Sequence, residues 1–235
     1  MRFSELRSWS GFKDWISGAA VPDHHAHHAH HAIAREARIR ARAALPAGER
    51  LTDSHVVAIG EGVPTPPNRM RRDLFSEARS TSDRWLTRAA RTEQFLDRMN
   101  PVNAAVDAFD NRRKYKEQAL FGDWGSAAGQ MASALQPREE CDAVSVLLLG
   151  DRGLHLVHVQ MSPDGREVGP GIQYGWGVPR SRVAWIRKRN GARHGTHEIG
   201  FDDGSWVSVY FPVAGWGTLV EALANLNGGS GSRAR

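Results

Sequence analysis

An α+β fold is predicted for this chain: an N-terminal helical region, then an antiparallel β-sheet or partly open barrel closed by a C-terminal helix. Three observations predict it. Apolar residues keep helical spacing up to about Cys141 and alternate after it. Asp-Gly and Asn-Gly pairs sit between alternating runs, the strongest short-range mark of a hairpin. Beyond the last alternating run, Trp216, Leu219, Val220, Leu223 and Leu226 recur at helical intervals and form a stripe that must cover something.

The elements follow in order. Phe3, Leu6, Trp9, Phe12, Trp15 and Ile16 predict a short amphipathic helix ended by Gly18 and Pro22, suited to docking over an apolar groove or lying on a membrane surface. A second helix over residues 33–45 carries Arg35, Arg38 and Arg42 along one side, a pattern expected to be solvated. With the His-rich tract between them, these make residues 1–45 an N-terminal helical segment. Residues 46–69 hold Pro46, Gly48, Gly60, Gly62, Pro64, Pro66 and Pro67 and read as a linker with at most a short apolar segment at "HVVAIG", residues 55–60. Residues 70–136 read as a helical hairpin region: Leu74, Ala78, Trp85, Leu86, Ala89 and Leu96 keep a helical period, Asn100-Pro101 stops it, and Val102, Val106 and Phe109 begin another helix. A small-residue helix over 123–135 ends before Pro137. Residues 137–227 form the β domain and its closing helix, and residues 228–235 a flexible tail.

Within the β domain, residues 143–150 and 154–160 flank an Asp151-Arg152-Gly153 turn. A strand enters Pro179, another spans Val183–Arg189, and Asn190-Gly191 turns into the last pair. "GPGIQYGWG" lacks the spacing of a dinucleotide fingerprint and reads as a loop beside a strand. The adjacent carboxylates Asp202 and Asp203 fit a turn better than a catalytic pair. Asp203-Gly204 suits a two-residue primed turn, His197, Ile199 and Phe201 share one strand face, and Val207, Val209 and Phe211 share another. Both carboxylates are expected to project from the hairpin tip, where no cleft would perturb an acid.

The formal net charge is +5, carried almost wholly by Arg, with lysine only at Lys13, Lys114, Lys116 and Lys188. Abundant Arg and Ala are expected of a GC-rich, actinobacterial type of coding sequence. One cysteine, Cys141, excludes an internal disulfide and a thiolate metal cluster within one chain. Charges break up residues 1–20, and no run of 18 apolar residues occurs. A cytoplasmic protein is expected, with peripheral membrane attachment as the variant.

The runs "LLLGDRGLHLVHV", "WGVPRSRVAWIRKR" and "HEIGFDDGSWVSVYFP", followed by a closing helix, resemble bacterial domains of the pleckstrin-homology superfamily, GRAM-like members included. The resemblance covers about residues 141–226 and departs from the family at Gly150, at Gly153 and in the lack of an evident first strand. It implies a PH-like β domain and a non-enzymatic role in binding lipids, peptides or proteins, and it carries over no ligand residue.

Two clusters stand out as candidate sites. Arg180, Arg182, Arg187, Lys188, Arg189 and Arg193 gather around one hairpin with Trp185 and could meet an anionic headgroup, a nucleic-acid phosphate or an acidic partner. In a helix, His24, His27, His28 and His31 share a face and could chelate a transition metal, an affinity expected to be adventitious. No cofactor is expected, and no nucleophile elbow, P-loop or His-Glu-x-x-His motif occurs. The sequence therefore points to a non-enzymatic interaction or adaptor protein that binds a protein partner or an anionic lipid surface; the alternative is a basic nucleic-acid-associated protein.

Overall fold

The computed structural model describes residues 24–75, 118–138, 143–162, 167–189, 192, 194–212 and 221. The chain divides into two compact units, one of Met1–Leu74 with Ala119–Arg235 and one of Phe75–Gln118. All but the two end residues of the second lie outside the described residues, as do the helices expected over 3–16 and through most of 70–117. Of the expected C-terminal helix only Glu221 is described, in helical conformation.

The described part of the first unit is α+β. Helix α1 is His24–Ala41. Strands β1 (Leu51–Val56) and β2 (Ala58–Ile59) follow, then β3 (Leu120–Phe121) and helix α2 (Ala127–Ala134). Six more strands complete it: β4 (Ala143–Gly150), β5 (Gly153–Met161), β6 (Val168–Pro179), β7 (Val183–Lys188), β8 (Thr196–Phe201) and β9 (Trp206–Tyr210).

All strand pairs are antiparallel and form two sheets. One has the order β1-β4-β5-β6; the other runs β2-β9-β8-β7, with β3 also on β9. β2 pairs with Tyr210 and Val209, and β3 with Val207 and Trp206, so the two short strands share one edge of β9 end to end. The sheets do not close into a barrel, because β6 and β7, though consecutive, are not paired with each other.

The linker expected over residues 46–69 is thus corrected. One extended run from Leu51 to Ile59 is the first strand of both sheets, turning from one to the other at Val57. Val56 and Val57 are each 1% exposed and belong to different cores, so burial on opposite sides fixes the crossing. The strand expected to enter Pro179 is present as β6 and reaches back to Val168, so it also takes in the part of "GPGIQYGWG" read as a loop beside it.

The first core contains Leu147, Leu149, Leu154, Leu156, Trp176 and Val178 of the four-stranded sheet, Ile199, Phe201, Val207 and Val209 of the other, and Met131 of α2. The second core lies on the opposite face of the four-stranded sheet, where Val144, Val146, Leu148, Val157 and Val159 meet Ala34, Ala37 and Ala41 of α1. Covering on both faces explains why β4 and β5 read as nearly continuous apolar runs. The Arg face expected to be solvated is divided: Arg35 and Arg42 are exposed, while Arg38 is half-buried and donates to Ser54 O. Arg40 Nη1 donates to Gly169 O at 2.6 Å, tying α1 to β6.

The β8–β9 turn answers the question of the paired carboxylates. Gly204 has φ +79°, and among described non-glycine residues only Phe75 has a positive φ, so Asp203 does not adopt the primed turn expected of it. Gly204 N instead donates to Phe201 O and Phe201 N to Ser205 O, the pattern of a three-residue hairpin with a left-handed glycine. Asp202 and Asp203 are both exposed at the tip, yet the Asp203 carboxylate is engaged by α2. Its Oδ2 accepts from Ala127 N at 2.9 Å, Ser205 Oγ accepts from Ala128 N, and Ser126 Oγ accepts from Gly129 N. The first three amides of α2, which a helix leaves without partners of its own, are therefore satisfied by its cap and by this hairpin turn.

Candidate functional site

The expected basic site is largely paired within itself. Arg180–Arg182 form a 3-10 turn between β6 and β7. Arg182 Nε lies 2.9 Å from Asp202 Oδ1, and its Nη2 lies 3.6 Å from Asp203 Oδ2. Arg187 Nε donates to Glu198 Oε2 at 2.6 Å while its guanidinium sits 4.6 Å from the centre of the Trp185 ring. Arg189, 8% exposed, reaches Glu198 Oε1 at 3.8 Å. Three guanidinium groups, Arg182, Arg187 and Arg189, thus face three carboxylates, Asp202, Asp203 and Glu198, and their far fields cancel. Lys188 is exposed, Arg180 is half-buried, and Arg193 lies outside the described residues.

The backbone of α1 begins at His24, so His24, His27, His28 and His31 share a helix face. The side chains of residues 24–30 lie outside the described set, and His31 is half-buried. Among the described residues no group of three or more His, Cys, Asp or Glu is placed to hold a metal.

A third arrangement escaped sequence reasoning. On the α1 side of the four-stranded sheet, beyond the end of that helix, Glu49, His155 and Tyr174 form a hydrogen-bonded chain. Glu49 Oε2 lies 3.0 Å from His155 Nε2, and His155 Nδ1 lies 2.9 Å from Tyr174 Oη. Glu49 Oε1 accepts from the amides of Gly153 at 2.6 Å and Arg152 at 3.2 Å. The Glu49 and His155 side chains are 5% and 8% exposed, whereas Tyr174 is 44% exposed. Burial alone would raise the Glu49 pKa, but the hydrogen bond and charge of His155 with the two amides outweigh it and hold the carboxyl below its ordinary value. An ionised Glu49 only accepts, so Nε2–H donates to it, and in the neutral form of the ring Nδ1 presents its lone pair to the phenol. Burial first, and the charge of Glu49 second, raise the Tyr174 pKa.

Glycines make room for this chain. A methyl group at Gly150 would meet Glu49 Oε1, one at Gly153 would come 2.6 Å from His155 Nε2, and one at Gly177 would meet Tyr174 Oη. These glycines come from β4, β5 and β6, and Gly177 lies directly across from His155. Glycine inside a strand marks a close approach, the one signal in the sequence that could have located the cluster.

Tyr174 also belongs to β6, the last strand in the four-stranded order, and among the described residues no further strand pairs with it. From Val168 to Pro179 this strand contains no charged residue, and Ile172 and Tyr174, two apart on one face, are 38% and 44% exposed. Among the described residues no helix is long and apolar enough to cross a membrane.

Comparison with protein-family models, with curated proteins and with solved structures finds no match to this chain.

Proposed function

We propose that this protein is a non-enzymatic interaction module of PH-like topology that receives an extended, uncharged segment of a partner protein along the edge of β6. The observation that carries the reading is that edge: twelve residues without charge, with Ile172 and Tyr174 exposed on one face. An unpaired strand edge offers a ladder of amides and carbonyls, and alternating side chains select the partner. Pro170 and Pro179 cannot donate to a ladder, so they bracket the usable stretch and limit its register. Two antiparallel meanders, β4-β5-β6 with β1 added beside β4 and β7-β8-β9, support the reading of PH-like topology. The internal pairing of Arg182, Arg187 and Arg189 favours a protein partner over an anionic surface.

The test is an array of extended ten-residue peptides probed with the intact protein, alongside anionic vesicles and duplex DNA at low salt. Peptides with alternating apolar residues should bind, and Ile172→Lys should weaken that binding about ten-fold or more by placing a charge on the edge. Retention on vesicles or DNA with no peptide binding would transfer the reading to an anionic-surface or nucleic-acid role.

A further inference from the structure

From the chain of Glu49, His155 and Tyr174 we infer that Tyr174 is a nucleophilic phenol, a site of covalent acylation in which His155 serves as general base. The inference is independent of whether β6 docks a partner. A carboxylate, an imidazole and a hydroxyl in hydrogen-bonded series are the parts of an activated nucleophile, here with the phenol in the attacking position. Both links are short, 3.0 and 2.9 Å, and the imidazole is held on both nitrogens, so its orientation is fixed. The two inner groups are buried while the ring bearing the nucleophile is 44% exposed, which is the burial gradient that chemistry at the outer end requires.

The arrangement is also costly as a mere clasp. It places glycine at three strand positions, where each lowers strand stability, and it buries a carboxylate where an apolar side chain would pack. Departures from local rules concentrate where a protein has work to do. Because the phenol stays protonated at neutral pH, its reactivity must come from the neighbouring base.

In the reaction, Tyr174 Oη attacks the carbonyl carbon of an activated ester as its proton passes to His155 Nδ1. The bond from that carbon to the leaving oxygen breaks, the leaving group departs as the anion, and the imidazolium then releases its proton to water. Glu49 acts as a positioning residue: it holds Nε2–H and stabilises the imidazolium.

The experiment uses the full chain and p-nitrophenyl acetate, with peptide mass spectrometry to follow acetylation of each of the three tyrosines. Tyr174 should label on the order of 100-fold faster than N-acetyltyrosinamide, and its rate should rise through the imidazole range and then level off. His155→Gln should abolish the excess rate, and added imidazole should restore part of it at Tyr174. Glu49→Gln should lower the rate and move the pH midpoint, a change that loss of a structural clasp alone would not produce. The pH profile of the unaltered protein decides the matter even if a variant fails to fold. A Tyr174 rate that equals that of N-acetyltyrosinamide, or that climbs with hydroxide toward the phenol range, overturns the inference.

Discussion

Replacing His158 by Gln probes the interior of the four-stranded sheet. His158 lies on the strand face that also carries Leu154 and Leu156, is 1% exposed, and has Nδ1 3.0 Å from Ser145 Oγ. Gly175 on the neighbouring strand β6 leaves it room, since a methyl group there would come 2.5 Å from Nε2, and the Gly175 carbonyl accepts from Arg72 Nη1 at 3.1 Å. Burial first, and the charge of Arg72 second, push the imidazole down from 6.5 to about 4. Above pH 6.5 neither the folded nor the unfolded chain binds this proton, and His158 has no effect on the pH dependence. Between 6.5 and 4 the unfolded chain binds it and the folded chain does not, so stability falls as pH falls. Each pH unit removes about 1.4 kcal/mol, and the full loss approaches roughly 3 kcal/mol. Urea unfolding of the protein and of His158→Gln, from about pH 7.5 to about pH 4.5, isolates this group by difference. Over that span the unaltered protein should lose roughly 2.5 kcal/mol more than the variant, and Arg72→Met should reduce that loss. Parallel curves would refute the assignment of a buried, neutral His158.

The other expected outcomes concern the turn and the histidine tract. Asp203→Ala removes a cap from α2 and should cost about 1–2 kcal/mol in chemical denaturation, whereas Asp202→Ala, which breaks an exposed pair with Arg182, should cost under about 1 kcal/mol. Burial pushes the Asp203 carboxyl up, but the Ala127 amide, the Ser205 hydroxyl and amide, and Arg182 together hold it below its ordinary 3.8. Its contribution is therefore complete above that value and fades as pH falls through the lower folded value, so Asp203→Ala should matter least in strong acid. At Gly204 a side chain would meet nothing within 4 Å, so only the positive φ resists substitution. Gly204→Asn should be mild and Gly204→Val should cost on the order of 1–3 kcal/mol. Changing His24, His27, His28 and His31 to Gln should abolish retention on immobilised Ni²⁺ and leave the melting temperature in chelator unchanged; if chelator instead unfolds the unaltered protein, the metal is structural.

The strands from β4 to β9 were legible because their apolar residues alternate or run together between turn residues, and α2 because small residues end at Pro137. β1 was not. Thr52, Asp53 and Ser54 interrupt its apolar run, and prolines and glycines on both sides give the composition of a linker. It becomes a strand only because β4 and β9 lie alongside it, which local pattern cannot express. The His155 and His158 pair was correctly placed on opposite faces, yet their surroundings were hidden: Glu49 lies 106 residues before His155 in the chain. Glycine misled in a consistent way. Gly175 and Gly177 gave a stretch of the strand into Pro179 the composition of a loop, but they sit inside β6, where imidazole and phenol groups occupy the space a side chain would need. The basic patch was readable as a cluster, while its neutralisation by Glu198, Asp202 and Asp203 depended on strand pairing.

The extended run from Leu51 to Ile59 governs where this protein can be cut. A fragment beginning at residue 137, the start that the sequence alone suggests for the β domain, would lack β1, β2 and β3 together. Both sheets would then lose the strand at one edge, baring β4 along Val146–Leu149 in one and β9 along Val207–Tyr210 in the other. Two uncovered apolar edges on a single small body are templates for indefinite strand addition, so such a fragment should aggregate where the whole chain stays dispersed.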